Sequence, residues 1–138
     1  MSVPLDLLEA ARQVRGSAYA PYSGFAVGAA LRTREGSIFV GCNVENAAYP
    51  EGVCAEAAAI VAMVAAGQRA ITEIVVVGGE GDDICMPCGG CRQKLQEFGT
   101  AETKVHACTA DGQTQQSFTL AQVFPFAFRL DDLSDPAV

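Results

Sequence analysis

The spacing of apolar residues along this chain predicts helices and strands that alternate. Between residues 4 and 18 the apolar positions recur at intervals of three and four, which is typical of an amphipathic helix. These positions are Leu5, Leu8, Ala11, Val14 and Ala18. The stretch FAVGAALRTREGSIFVGCNVEN then predicts two strands joined by a tight turn at Arg34-Glu35-Gly36.

The rest of the chain continues this alternation. Its predicted elements are a helix over 53–67 closed by Gly67, a buried strand over Ile71–Val77, a short helix from Cys88 that stops at Gly99, a strand over Lys104–Cys108 and a short helix over 119–124. Because strands and helices alternate after the opening hairpin, we expect an α/β fold in which helices cover a mixed sheet. The length of 138 residues fits one domain over 1–138.

The predicted helix over 53–67 is apolar on nearly every side. Such a helix must be buried on more than one side, and the sheet covers only one of them. Half of all residues are apolar, which is a high share for a chain whose size leaves much surface to cover. We therefore expect the second side to contact another subunit, with an alanine-rich monomer as the alternative.

Charge and targeting signals narrow the class of partner. The net charge is −7 with nine lysines and arginines, which argues against a polynucleotide because its phosphates need positive charge. The start of the chain lacks a basic segment followed by an apolar core, and the apolar run 57–66 is shorter than the roughly 20 residues of a membrane span. We expect a cytoplasmic protein without membrane contact, whose six cysteines are thiols or metal ligands.

Cysteines near the starts of two predicted helices predict a metal site. Cys88 and Cys91 form a C-x-x-C motif at one helix start, and Cys54 lies at the other, where the helix N-terminus stabilises a thiolate. Three thiolates leave tetrahedral zinc one ligand short. A structural site would take a fourth protein ligand, with Cys85 as the candidate, whereas a catalytic site leaves that position to water. The proline after Met86 favours a position for Cys85 on the approach to the helix, away from the metal.

Two other interpretations of the cysteines fit the spacing less well. An iron–sulfur cluster would need a fourth cysteine, and the next one after Cys91 is the distant Cys108. A redox C-x-x-C pair works without metal and does not need Cys54. His106 lies in a predicted strand, where we expect it to pack or face solvent rather than bind metal.

Glu56 is the candidate for proton transfer. It follows Cys54 by two positions in the first helical turn, so its side chain stays near the metal but points elsewhere than the sulfur. That position is beside a metal-bound water, whose pKa zinc lowers from about 15.7 to near 7, and a carboxylate there can carry the proton to a substrate. The alternative is a carboxylate that only interacts with its helix dipole.

Asn43 and Glu45 are candidates for binding a sugar hydroxyl. They are two positions apart at a strand end, so both side chains leave the same face. An amide beside a carboxylate suits a hydroxyl, and the alternative is a solvated turn in which Asn46 caps the next segment. Phe25 alternates with Val27, which by itself indicates a core residue.

Four motifs resemble those of known zinc deaminases. VCAE and PCGGCRQ look like the metal-binding motifs of the zinc nucleoside deaminases, and PYSGFAVGAAL and GCNVENAAY resemble the small homotetrameric cytidine deaminases. The similarity runs from about Tyr19 to Leu133. It implies a three-layer α/β/α fold with a mixed, roughly five-stranded sheet, a homotetramer, and hydrolytic deamination of cytidine and deoxycytidine in pyrimidine salvage.

The resemblance also implies roles for individual residues. Cys54, Cys88 and Cys91 would bind Zn²⁺, and Glu56 would carry a proton to the pyrimidine. The implied contacts of the nucleoside are Phe25 and the backbone at Ala55 on the ring, Asn43 and Glu45 on the ribose, and Phe128 from a neighbouring subunit. Two alternatives stay open: a deaminase of another cytosine nucleoside, such as an antibiotic or a 5-substituted cytidine, and a zinc-stabilised interaction module closed by Cys85.

One position departs from the family pattern. Many three-thiolate members carry an arginine directly after the catalytic glutamate, where it offsets the charge of the sulfurs, but this chain has Ala57. We expect the compensation to come from the two helix N-termini or from Arg92.

Overall fold

Helices lie on both faces of a five-stranded sheet in the computed structural model, which describes residues 1–79 and 81–130. The helices are α1 (Leu5–Arg15), α2 (Ala55–Ala65), α3 (Gly89–Phe98) and α4 (Leu120–Val123), with a 3₁₀ turn at Tyr49–Glu51. The strands are β1 (Gly28–Thr33), β2 (Ile38–Cys42), β3 (Ile71–Val77), β4 (Lys104–Cys108) and β5 (Gln115–Thr119). The predicted α/β fold is confirmed. Residues 131–138, and with them the end of the resemblance at Leu133, lie outside the described residues.

The sheet is mixed, as predicted, with the strand order β2-β1-β3-β4-β5. β3 and β4 are parallel, and every other pair of neighbours is antiparallel. Parallel neighbours need a crossover connection, which α3 provides between β3 and β4. The start of α3 therefore follows the carboxyl end of β3, and α2 contacts both α3 and the hairpin of β1 and β2.

Each face of the sheet has its own apolar core. On one face α1 packs through Leu7, Leu8 and Ala11 on Ala30, Val75 and Val77. On the other, Ile60 and Met63 of α2 and Leu95 of α3 pack on Leu31, Ile74 and Val76. Gly41 allows α2 to lie close to β2, because a β-carbon there would be 2.4 Å from the backbone nitrogen of Ala59.

The strand β5 was not predicted from the sequence. Its residues QQSFT include one large apolar side chain and show no regular alternation. β5 is an edge strand that pairs with β4, and Ser117 Oγ lies 2.7 Å from Nδ1 of the buried His106. Backbone pairing and this polar contact hold the strand in place, and neither leaves a hydrophobic pattern.

The apolar helix predicted over 53–67 is observed as α2, and most of its side chains are buried, as predicted. Val61, however, is 66% exposed, so one side of the helix remains uncovered in the single chain. None of the helices in the described part of the chain combines the length and the apolar character that crossing a membrane requires.

Candidate metal centre and ligand cleft

Three cysteine sulfurs converge where α2 and α3 begin. Cys54 and Cys88 are the N-cap residues of these helices, and Cys91 lies in the first turn of α3. The three sulfurs lie within 4.8 Å of one another, and those of Cys54 and Cys88 are 4.0 Å apart. Within residues 1–79 and 81–130, no other group of three or more cysteine, histidine or carboxylate side chains converges in this way.

The spacing and chemistry of these sulfurs fit zinc. At the usual Zn–S length of about 2.3 Å, two tetrahedral ligands lie roughly 3.8 Å apart. The distance of 4.0 Å between Cys54 and Cys88 is close to that value. Two helix N-termini direct partial positive charge at the sulfurs, which favours thiolates. Three protein ligands are the number found in catalytic zinc sites, whereas structural sites usually have four.

The thiols lie in unlike electrostatic environments. The backbone N–H of Cys91 donates to the Cys88 sulfur and holds the pKa of that thiol below its ordinary value. Burial raises the pKa of Cys54 and of Cys91, and the neighbouring negative groups raise it further. A divalent cation among the three sulfurs would offset this concentration of negative charge.

Glu56 lies beside the sulfurs at the start of α2. It is only 4% exposed, and its carboxyl group lies beside the Cys91 thiol. Burial raises the pKa of Glu56, although the Cys91 contact and the charge of Lys94 oppose the change. A raised pKa makes a carboxyl group a better proton acceptor than an ordinary glutamate.

Cys85 and Arg92 are close in sequence to Cys88 and Cys91, but neither side chain belongs to the group of Cys54, Cys88 and Cys91. Cys85 is half-buried against the core under α2 and α3, and burial raises the pKa of its thiol to about 11. Arg92 donates to the carbonyl oxygens of Pro87 and Val123, each at 2.7 Å. Its guanidinium therefore ties the start of α3 to the end of α4.

Lys94 lies where its positive charge can partly replace that of the arginine that many family members carry at the position of Ala57. Its Nζ lies 3.8 Å from the point where a β-carbon on Gly90 would be, and the Cys88 sulfur lies 3.9 Å from the same point. The ammonium and this sulfur are therefore less than about 8 Å apart, within the Debye length at physiological salt. The sequence analysis did not single out this residue.

A cleft of about 480 Å³ opens beside Cys54. Its lining includes the predicted pair Asn43 and Glu45, together with Ser23 and Tyr49. One continuous space thus joins the end of β2 to the first of the three sulfur-bearing residues.

Glu45 binds the loop over 19–27. Its Oε1 accepts hydrogen bonds from the backbone N–H groups of Tyr22 and Ser23, each at 3.0 Å, and its Oε2 accepts from Ser23 Oγ. These donors, the Ser23 hydroxyl first, hold the pKa of Glu45 below its ordinary value. Glu45 is therefore ionised at neutral pH.

Asn43 binds the same loop through both ends of its amide. Oδ1 accepts from the Val27 N–H and Nδ2 donates to the Phe25 carbonyl, both at 2.8 Å. The shared face predicted for Asn43 and Glu45 is thus present. Asn46 does not cap the next segment as the alternative predicted: its Oδ1 accepts from the Ala48 N–H at 2.9 Å in a local turn, and the N-cap of the 3₁₀ turn is Ala48 itself.

The other predicted contact residues are not in the lining of this cleft. Phe25 is 44% exposed, and the core position predicted for it from alternation is wrong because β1 begins only at Gly28. Ala55 is fully buried as the first residue of α2. Phe128 is 68% exposed beside α3, where Gln93 donates to its carbonyl at 3.2 Å.

Sequence reasoning missed three residues of the cleft. Ser23 contacts Glu45, and the rings of Tyr22 and Tyr49 meet edge to face with their centroids 5.8 Å apart. All three lie inside the quoted motifs PYSGFAVGAAL and GCNVENAAY. Polar and aromatic residues next to a predicted ligand contact were the available signal.

Fold and site together define a class: α/β proteins in which two helix N-termini present cysteines beside a buried glutamate. The sequence-family model for the cytidine and deoxycytidylate deaminase zinc-binding region matches residues 1–107 of this chain. The chain belongs to this family, which confirms the resemblance and the predicted zinc cofactor.

Individual relatives match over nearly the whole chain. The cytidine deaminase of Halalkalibacterium halodurans is 40% identical over 129 residues, which are 94% of this chain and 96% of that protein. The cytidine deaminase of Mycobacterium tuberculosis is 40% identical over 123 residues, or 89% and 87% of the two chains. The crystal structure of cytidine deaminase from Burkholderia pseudomallei matches with a TM-score of 0.85 at 42% identity, over 92% of this chain and all of that one.

Proposed function

We propose that this protein catalyses the zinc-dependent hydrolytic deamination of cytidine and deoxycytidine to uridine and deoxyuridine. The observation that carries the proposal is the cleft that runs from Cys54 to Asn43 and Glu45, with Glu56 buried beside the sulfurs. A cytosine nucleoside has two matching ends, a ring with an amino group and a sugar with hydroxyls. The names of the relatives support the same reaction.

Cys54, Cys88 and Cys91 are the residues that would hold the zinc ion. Zinc bound there would make a water molecule acidic enough to lose a proton near neutral pH, which would turn it into the nucleophile for the ring carbon that carries the amino group. The sulfurs themselves fix the position of the ion at the two helix starts, and Ala55 holds the polar edge of the ring through its backbone.

Glu56 moves the protons of the reaction. Its carboxylate takes up the proton that the attacking water loses and delivers it to N3 of the pyrimidine. It then takes the remaining proton from the added oxygen and passes it to the amino group, the carbon–nitrogen bond breaks, and ammonia leaves as the carbonyl of uridine forms. Burial of Glu56 raises its pKa, which eases proton return in the later steps.

Asn43 and Glu45 bind the sugar, and Phe25 lies against the pyrimidine. A carboxylate offers about four acceptor positions and an amide nitrogen two donors. Glu45 uses three of its acceptor positions and Asn43 one of its N–H groups on the loop over 19–27. One acceptor and one donor are therefore left for hydroxyl groups of a ribose.

We further infer a homotetramer in which Phe128 of one subunit contributes to the site of another. Support comes from the exposed side of α2 at Val61, next to an apolar groove that includes Val64 and Phe98, and from the exposure of Phe128. We place the protein in the cytoplasm, where its six cysteines would be thiols or metal ligands rather than disulfides, and the reaction in pyrimidine salvage. We take residues 1–138 as one domain.

The substitution Glu56→Gln tests the proposed reaction. Glutamine keeps the size of the side chain but cannot carry a proton, so we expect bound zinc to remain near one per chain while turnover of cytidine falls by at least about 10²–10⁴-fold. Zinc content and the conversion of cytidine to uridine are measured on the same samples. Glu102→Gln, which changes an exposed carboxylate in the turn before β4, is the matched control and should leave both unchanged. Undiminished turnover in Glu56→Gln would end the proposal.

A further inference from the structure

The hydroxyl of Ser23 joins two parts of the cleft. Ser23 Oγ donates to Glu45 Oε2 and accepts from the Phe25 N–H at 3.0 Å. The N–H of Ser23 donates to the other carboxylate oxygen, Oε1, also at 3.0 Å. One residue therefore binds both oxygens of Glu45 and the backbone of the aromatic residue at the cleft.

The hydrogen-bonding capacity of Ser23 fixes the direction of the carboxylate. A serine hydroxyl has a single hydrogen, and this one is used on Glu45 Oε2. Because the two backbone N–H groups occupy Oε1, the acceptor position that remains for a ligand is on Oε2, beside the Ser23 hydroxyl. The orientation of that position depends on Ser23.

The loop is shaped to hold Ser23 in this place. Gly24 has φ +69°, a conformation that glycine adopts at little cost, and its N–H donates to the Ala20 carbonyl at 2.9 Å. This turn directs the Phe25 N–H back to Ser23 Oγ. Asn43 holds the far side of the same loop through the Phe25 carbonyl. The loop is thus bonded on both sides of Phe25.

We propose that Ser23 is a positioning residue that couples the recognition of a sugar hydroxyl by Glu45 to the placement of Phe25 on the pyrimidine. This rests on the proposed function, and it names the part of the substrate that the residue controls. Loss of the hydroxyl frees the carboxylate to rotate and releases the Phe25 N–H. The affinity for a nucleoside that carries the hydroxyl bound by Glu45 then falls more than the affinity for a nucleoside that lacks this hydroxyl.

Ser23→Ala is tested with cytidine and with its 2′-deoxy, 3′-deoxy and 5′-deoxy analogues. A hydrogen bond to a charged group supports an effect of about tenfold, which we expect as a rise in KM for cytidine with little change in kcat. For the analogue that lacks the hydroxyl bound by Glu45, the rise in KM caused by Ser23→Ala should be only about twofold. That analogue therefore identifies the hydroxyl. Ser23→Thr keeps the hydroxyl and should restore the preference.

Ser37→Ala is the matched control. Ser37 Oγ accepts from Gln68 Nε2 at 2.9 Å in the β1–β2 turn, so the control also removes one bonded serine hydroxyl. It should leave KM for all four nucleosides unchanged. Equal losses for all four nucleosides in Ser23→Ala would show a merely structural role and overturn the inference, as would no loss at all.

Nucleoside binding separates this inference from the proposed function. If the unmodified protein turns over no cytidine, the proposed function fails. Calorimetric binding of the same four nucleosides to Glu56→Gln, with and without Ser23→Ala, then decides the inference by itself. A preference for one hydroxyl that disappears with Ser23→Ala supports it, and binding that is absent or indifferent to the hydroxyls overturns it.

Discussion

The two ends of the cleft are built in opposite ways. At the metal end, Cys54 lines the cleft, and Glu56, Cys88 and Cys91 lie beside it at the starts of α2 and α3. At the other end, which we propose binds the sugar and call the sugar end, Asn43 and Glu45 hydrogen-bond the loop that carries Ser23. The metal end thus needs an ion to balance its charge, whereas the chain itself holds the sugar end in shape.

This difference sets what each end contributes to the protein. Substitution at the metal end should remove zinc and chemistry together, because three ligands share one ion. Substitution at the sugar end should loosen a loop and weaken binding while the ion stays in place. Zinc content and KM therefore report on different ends of one cleft.

Cys91→Ser should have the largest effect. A serine hydroxyl does not ionise near neutral pH and is a poor zinc ligand, so we expect loss of zinc and a fall in turnover of about a thousandfold. Cys85→Ser is the matched control, since Cys85 lies outside the sulfur group, and it should keep both. Zinc content by atomic absorption and cytidine turnover are the measurements. Loss of zinc from Cys85→Ser would instead support a closed structural site.

Asn43→Ala should show the opposite pattern. It leaves the N–H of Val27, a residue that is only 7% exposed, and the Phe25 carbonyl without their amide partner. An unsatisfied buried group costs about 1–3 kcal/mol, so we expect a Tm lower by about 5 °C and a KM higher by about tenfold or more. Zinc content should not change.

Asn43→Asp separates the two bonds of this amide. It keeps an acceptor for Val27 but loses the donor to Phe25, so its Tm should lie between those of Asn43→Ala and the unmodified protein. Thermal unfolding and steady-state kinetics on zinc-loaded protein provide the data. Zinc loss from either variant would show that the two ends are not separate.

The sequence was sufficient to predict the metal end. Cys88 and Cys91 are three residues apart, and Cys54 and Glu56 only two, so local helix geometry brings each pair to one helix start. Only the meeting of the two starts depends on the fold. The resemblance to zinc deaminases provided that long-range information.

The sugar end could be predicted only in part. The shared face of Asn43 and Glu45 follows from strand geometry, but their partners lie about twenty residues earlier in the chain. No periodicity marks a loop bonded through backbone groups, so the role of Ser23 was not visible. The edge strand β5 was missed for the same reason, since backbone pairing rather than apolar alternation holds it.

Lys94→Gln should have the smallest effect, and it sharpens the account of charge at the metal end. The ammonium of Lys94 is exposed and less than about 8 Å from the Cys88 sulfur, so solvent screens most of its field. Position 57 is an alanine rather than an arginine, and Arg92 is hydrogen-bonded to carbonyl oxygens. Lys94 is a cation that the structure places near the Cys88 sulfur. We expect the dissociation constant of zinc to rise by about threefold.

Salt dependence distinguishes a charge effect of Lys94 from a packing effect. Raising the ionic strength from about 0.05 M to 0.5 M shortens the Debye length to a few ångströms, so the difference in zinc affinity between Lys94→Gln and the unmodified protein should vanish. Lys94→Arg should keep the affinity, because it keeps the charge. Lys104→Gln removes an exposed charge at the opposite end of β3 and β4, so it should have no effect on zinc binding. A loss of affinity that persists at high salt would mean that Lys94 acts through the packing of α3, and the helix N-termini would then be the main balance for the three sulfurs.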